Sequence, residues 1–318
     1  MIAVLCGGVG AARFLSGLLQ VVDPGDVVAV VNTGDDTELH GLCISPDLDT
    51  ITYTLSGRVN PVTGWGFAGD DFTTMQALEA LGGDTWFRLG NRDLATHLYR
   101  TGRLRAGASL SEVTAELARA FGLGLVLLPM SDDPVRTVLR LADGGEVGFQ
   151  DYFVRLRHSV AVRGVRFSGA EQASPAPGVL ESLAAASIIV IAPSNPVVSI
   201  DPILSVPGVR ALLGSRRAHV VGVSPIVAGA ALKGPADRLL VELGGEATAA
   251  GVARWMAEVC GTLVIDAADS DQVPGVEACG MRCVVTPTVM GTPGIAAALA
   301  RTVLSSGGPD TDRIPVAG

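Results

Sequence analysis

The sequence predicts an α/β protein: a Rossmann-like, doubly wound, mostly parallel sheet with a mixed α+β insertion. Two observations carry this reading. Short runs that are apolar almost throughout alternate with stretches of helical periodicity at both ends of the chain, as expected for strands covered on both faces. The first such run stops in Gly7-Gly8-Val9-Gly10, a turn of the kind that leads a parallel strand into a helix. With 318 residues, 48% hydrophobic and only 17% charged, the chain can bury a large core, and disorder over most of its length is excluded.

Taken in order, Ile2–Cys6 is the first strand, and an amphipathic helix is expected from about Ala11 to Val22. Asp26–Val31 is the second strand, so residues 1–31 form a βαβ unit. The far end repeats this grammar with strands at Ser187–Ile191, Ala218–Val223, Thr262–Asp266 and Cys283–Thr286, and with helical spacing over 236–260 and 293–306. The middle differs. It holds Trp65 and Trp86, a helical stretch from Ser109 to Ala120, a strand at Leu125–Leu128 and a hairpin. In that hairpin Val135–Leu141 and Glu146–Gln150 flank Asp143-Gly144-Gly145, a strong turn signal. Ala173–Gly178 marks the passage back into the sheet. The expected division is a core of 1–50 and 179–318 around an inserted, substrate-covering region of 51–178. The tail after Ser305 is rich in Gly and Pro and reads as frayed.

A net charge of −9 gives no sequence-wide attraction to nucleic acid or to an anionic membrane. No apolar run reaches the ~20 residues of a spanning helix, and the first residues form a strand rather than a signal-type segment. Five scattered cysteines argue for a reducing cytoplasm, with Cys279 and Cys283 as packing residues. An anionic substrate therefore needs local help from a metal, Arg or backbone amides.

The acids supply the sharpest signal. Asp35, Asp36, Asp47 and Asp49 fall within fifteen residues, just after the second strand, at the sheet edge where open α/β folds bind ligands. Carboxylates packed this closely repel one another unless a cation or protons share the space, and oxygen ligands suit Mg2+. The plain alternative is a pair of solvated Asx turns and helix caps. The glycine turn presents amides and a helix end to a phosphate. It departs from the dinucleotide fingerprint, because Arg13 stands where a small residue belongs and Asn32 stands where an NAD-binding acid would be. A nicotinamide cofactor is not supported. Arg13 either salt-bridges or reaches a phosphate.

Pro193-Ser194-Asn195-Pro196 and Ser224-Pro225 follow successive strands and aim short polar groups at the same edge, and Lys233-Gly234-Pro235 adds a cation. In the insertion, Gly64-Trp65-Gly66 and Trp86-Phe87-Arg88 place flat aromatics beside polar groups, which suits a planar heterocycle; Phe87 is read as core. Arg88, Arg92, Asp93 and Arg100 form either an ion-pair network or an anion site. A local Asp93–His97 contact is expected one helical turn apart. Met130-Ser131-Asp132-Asp133 offers further polar groups; His158 and His219 carry no assigned role.

Together these segments resemble the 2-phospho-L-lactate transferase family of coenzyme F420 biosynthesis, including its phosphoenolpyruvate-transferase branch. The carrying residues are Gly7–Gly10, Val31–Asp36, Ser45–Thr50, Gly64–Gly66 and Arg92–His97, extended by Pro129–Asp132, Phe149-Gln150, Ala192–Pro196 and Ser224–Ile226, in order over residues 1–300. One departure is Gly90-Asn91-Arg92-Asp93, where the family pattern has Asp at the second position. The resemblance implies transfer of a phospho-three-carbon-acid unit from its diphospho-5'-guanosine donor to the ribityl hydroxyl of Fo, a deazaflavin, with release of GMP. It also implies Mg2+ dependence and a homodimer. On that reading Asp35 and Asp49 lead metal binding and catalysis. Asp36 and Asp47 stand behind them or act through water, and one of the four orients the attacking hydroxyl. Gly7, Gly8, Gly10, Ser194 and Asn195, with Lys233, hold the guanylate part, Asn32 is a further binding residue, and Trp65, Arg88 and Arg92 face the deazaflavin or the three-carbon carboxylate. Nucleic acid and membrane have no part. The rivals are a non-catalytic, nucleotide-sugar-binding regulator of the gluconeogenesis-factor type and a dinucleotide-dependent oxidoreductase.

Overall fold

The computed structural model describes residues 1–307. Seven strands form one parallel sheet: β1 (Ile2–Cys6), β2 (Val27–Val31), β3 (Val126–Pro129), β4 (Ile188–Ile191), β5 (Val220–Val223), β6 (Thr262–Ile265) and β7 (Arg282–Val285). Their order is β7-β6-β5-β4-β1-β2-β3, the doubly wound arrangement with its direction of travel reversing between β1 and β4. Five strands, β1, β2, β4, β5 and β6, are buried at every residue, which is why their sequences lack polar alternation. Each face carries its own core. Helix α1 (Gly8–Leu18) and the C-terminal helix Ile295–Ser305 cover one face with Phe14, Leu15, Leu299 and Val303; Leu183, Ile203, Leu239 and Met256 cover the other.

Several boundaries differ from expectation for local reasons. Helix α1 begins at Gly8, inside the glycine turn, and its last helical residue is Leu18 rather than Val22. The helical span 236–260 breaks into Ala236–Glu242 and Ala249–Met256 around Gly244-Gly245, where Gly244 adopts φ 85°. Asp47 and Asp49 do not lie in a loop. They occupy the first turn of helix α2 (Pro46–Leu55), a place that favours anions, behind a small hairpin of Thr37–Leu39 and Leu42–Ile44.

Strand β3, expected inside the insertion, pairs parallel with β2 and completes the main sheet, so the chain re-enters the core midway through 51–178. The predicted hairpin is present as Arg136–Leu141 against Glu146–Gly148, and it gains a third, unforeseen strand, Val162–Ser168. Helix Leu110–Ala120 starts as read, with Ser109 and Glu112 forming a reciprocal capping box. Cys279 and Cys283 pack against the core. Most of the tail after Ser305 lies outside the described residues; Ser306 itself is buried. Among the described residues no single helix is long and apolar enough to cross a membrane.

Candidate active site

A cavity of about 820 Å3 opens at the carboxyl ends of β1, β2, β4, β5 and β7, across the point where strand order reverses. The glycine turn forms one wall. Gly8 adopts φ 72°, left-handed, and a Cβ on Gly10 would run into the Pro193 carbonyl. Ser194 joins the two strand ends: its Oγ accepts from the Gly7 N–H at 3.2 Å and donates to the Gly7 carbonyl at 2.9 Å. Asn195 Oδ1 accepts from the Val197 N–H at 3.0 Å, and its buried Nδ2 has no partner among the described residues.

Arg13 and Lys233 line the same space, and neither is ion-paired among the described residues. Lys233 Nζ donates to the Thr63 carbonyl at 2.6 Å, and burial together with the nearby Arg13 lowers its pKa. Two cations beside the start of α1, outside any ion pair among the described residues, make this wall electropositive and suited to an anion.

The four aspartates divide into two groups. Asp35 and Asp47 share Asn32, whose Nδ2 lies 2.9 Å from Asp47 Oδ2 and 3.4 Å from Asp35 Oδ1. Gln150 Nε2 donates to Asp35 Oδ2 at 3.2 Å, and the Gly8 amide donates to Asp47. Asp36 sits behind them. Its Oδ2 accepts from Ser45 Oγ at 2.7 Å, while its buried Oδ1 has no partner among the described residues. Burial raises all three carboxyls, Asp47 to about 6 and Asp36 to about 7; Asp35 is pushed well up by burial and by the charges of Asp47 and Asp36. Burial makes ionisation of this group costly, and its hydrogen bonds offset that cost only in part.

Asp49 is different. Arg100, itself buried, donates to both its oxygens, Nη1 to Oδ2 at 3.1 Å and Nη2 to Oδ1 in closer contact. Arg100 lies on helix α3 (Asn91–Arg105), one turn beyond His97. His97 Nδ1 is 3.3 Å from Arg100 Nη1, and a guanidinium can only donate, so Nδ1 is the accepting nitrogen. His97 Nε2 lies 3.3 Å from Asp93 Oδ1, the expected local contact, without hydrogen-bond geometry. Tyr53 completes the chain by donating to Asp93 Oδ1 at 2.7 Å. Asp49, Asp93 and His97 bring donor atoms within 4.8 Å of one another, but Arg100 already balances charge here.

The remaining predicted residues fall as follows. Trp65, about half exposed, and Arg88 line the cavity, with the Arg88 guanidinium 4.3 Å from the Phe72 ring centroid. Phe87, read as core, packs in a small cluster and also faces the cavity. Arg92 is not brought to the site. It bonds the Ala68 carbonyl at 3.3 Å and lines a separate hollow with Arg58 and Phe67, because Asp70 caps the helix start at the Arg92 and Asp93 amides. Asn91 donates to Asp71, so the departure from the family pattern replaces a charge with a donor. The 130–133 segment serves other ends, with Asp132 accepting from Ser111 and Asp133 from the Ser174 amide. Tyr53 and Gln150 were not singled out as site residues. Tyr53 follows Asp49 by one helical turn, a spacing that could have found it; Gln150 belongs to a segment that carries the family resemblance, but no spacing ties it to Asp35.

Comparison with known proteins agrees with this picture. The model of the family described as 2-phospho-L-lactate transferase CofD matches residues 2–275. A phosphoenolpyruvate transferase of Streptomyces griseus is 47% identical over 308 residues, spanning 95% of this chain and 97% of its own. One from Mycolicibacterium smegmatis is 41% identical, spanning 96% of this chain and 98% of its own. Among solved structures, protein BH3568 of Bacillus halodurans, of the upf0052 family, superposes with a TM-score of 0.65 at 17% identity, covering 95% of this chain and 98% of its own. That likeness shows the fold.

Proposed function

Since the chain belongs to the 2-phospho-L-lactate transferase family, we propose that it moves a phospho-three-carbon-acid unit from a diphospho-5'-guanosine donor to the ribityl hydroxyl of Fo, releasing GMP. The names of its relatives favour phosphoenolpyruvate over 2-phospho-L-lactate as that unit. One observation carries the reading: two buried carboxyls, Asp35 and Asp47, with Asp36 behind them, share a cavity with a glycine turn flanked by two cations outside any ion pair among the described residues.

Phosphoryl transfer depends on positioning and charge balance more than on covalent catalysis, and this cavity divides both tasks. The α1 amides, Arg13 and Lys233 bind the guanylate phosphates. Asp35 and Asp47 fit a hard divalent cation, since both face the cavity, both are raised by burial, and Asn32 holds them side by side. Mg2+ bound there would offset charge as the phosphoanhydride bond breaks. Asp36 adds charge from behind. Asp49 is fixed by Arg100 and shapes the wall beside the cation site. Asp93, held by the Tyr53 hydroxyl, faces the cavity as an acceptor for the attacking hydroxyl. The partners are small molecules, and the chemistry belongs to the cytoplasm.

The test is incubation of the purified chain with enolpyruvyl-diphosphoguanosine, Fo and Mg2+. Equal amounts of GMP and of the phosphodiester product by mass spectrometry are expected. Donor binding with no GMP would instead favour the regulator.

A further inference from the structure

We propose that Phe149, backed by Phe153, seats the flat heterocycle of the acceptor, and that Trp65 belongs to the donor end of the cavity. The inference rests on the reading that the acceptor is a deazaflavin. Phe149 and Phe153 stack in an offset pair, centroids 5.5 Å apart and planes at 8°. Phe153 stacks in turn on His158, at 5.6 Å and 16°. Phe153 is thus the middle ring and Phe149 an end ring; both line the cavity, and His158 does not. A parallel stack with one end at a cavity wall offers a π-face to a planar guest.

The backbone is arranged to hold this stack. Asp151–Arg155 is a π-helical turn, and Arg157 and His158 both adopt left-handed φ values, 49° and 41°, without being glycine. Such conformations persist only where the surroundings impose them, and here they bring His158 behind Phe153. The His158 amide donates to the Tyr152 carbonyl at 2.8 Å, and Arg238 donates to the His158 carbonyl.

Gln150 supplies the link to the chemistry. It follows Phe149 directly and donates to Asp35 Oδ2 at 3.2 Å. Phe149 thus adjoins a residue bonded to the acidic cluster, and both line the cavity in which the ribityl chain of a ring on Phe149 would have to reach those acids. Trp65 lies elsewhere. Its neighbour Gly64 approaches Val9 of the glycine turn so closely that an added Cβ would sit 2.9 Å from the Val9 side chain and 3.0 Å from Lys233 Nζ. Trp65 thus stands next to the glycine turn and Lys233, the donor end of the cavity on this reading.

Initial rates over varied Fo and varied donor, with fluorescence titration of Fo alone, test the assignment in Phe149→Leu, Phe153→Leu and Trp65→Leu. Loss of a stacking face should raise the KM for Fo in Phe149→Leu about tenfold or more. The donor KM stays unchanged, and Phe149→Tyr restores the Fo KM. Trp65→Leu should shift the donor KM instead. Product formation with an unchanged Fo KM in both Phe variants overturns the proposal, as does a matched rise in both KM values. If the wild type forms no product, the transferase reading falls, and the Fo titration still decides where the ring binds.

Discussion

Arg100 binds both carboxylate oxygens of Asp49 from a different helix, with Nη1 3.1 Å from Oδ2. The pair joins α2 to α3 and removes Asp49 from the under-compensated acids beside it. Removing one partner of a buried pair leaves a charge without an answer. Arg100→Met should therefore lower stability by about 3–5 kcal/mol, read as a lower midpoint in urea denaturation, and adding Asp49→Leu should recover part of the loss.

The elevated carboxyls set a pH dependence. Between the ordinary value of 3.8 and the folded values of about 6 for Asp47 and about 7 for Asp36, the folded protein keeps protons that the unfolded chain has released. Their contribution to stability is full below that window and is lost as pH rises through it. In EDTA the melting temperature should fall across this range for that reason. Mg2+ should restore more at pH 8 than at pH 5, and Asp47→Asn should remove most of that difference.

Asp35→Asn keeps shape while deleting charge at the cavity. Turnover should drop on the order of a hundredfold, comparable with loss of a transition-state contact, while binding of GMP by calorimetry is retained. Unchanged turnover and unchanged Mg2+ dependence would remove Asp35 from the site.

Lys233→Met deletes a cation that lines the cavity beside the glycine turn, where the proposed donor would place its phosphates. Charge-assisted hydrogen bonds of this kind correspond to about tenfold or more in donor KM, with the Fo KM unaffected. Steady-state kinetics over both substrates separates the two.

Gly10→Ala places a methyl against the Pro193 carbonyl, a backbone atom that cannot swing aside. Overpacking of this type should destabilise by about 1–3 kcal/mol, measured by chemical denaturation, and should displace Ser194 from Gly7.

Apolar runs and a glycine turn were enough to read most of the main sheet, because strands buried on both faces leave a one-sided composition. Strand Val162–Ser168 escaped because its sequence mixes Arg163 and Arg166 with apolar residues on a half-exposed ribbon. Val126–Pro129 was seen as a strand but not as a member of the main sheet, since nothing local states which neighbour a strand will choose. At the site, residues adjacent in sequence were legible and partners far apart were not. The Asp35–Asp36 pair stood out; the Asp49–Arg100 bond, the Gln150–Asp35 bond and the rings around Phe153 are made by tertiary closure. Arg92 shows the converse: it neighbours site residues in sequence, yet the Asp70 cap turns it away.

The first strand of the chain lies in the middle of the sheet, with Ile2 beside Val27 on one side and Ile188 on the other. On the ribosome, β1 and β2 emerge well before β4, so one flank of β1 has no mate until residues 188–191 have been made. The whole stretch between β2 and β4 is thus translated with an apolar strand edge open to wrong pairing, a hazard of nonlocal topology. Truncations ending before β4 should accordingly aggregate rather than fold, and trigger-type chaperone binding should concentrate on the N-terminal βαβ unit during synthesis.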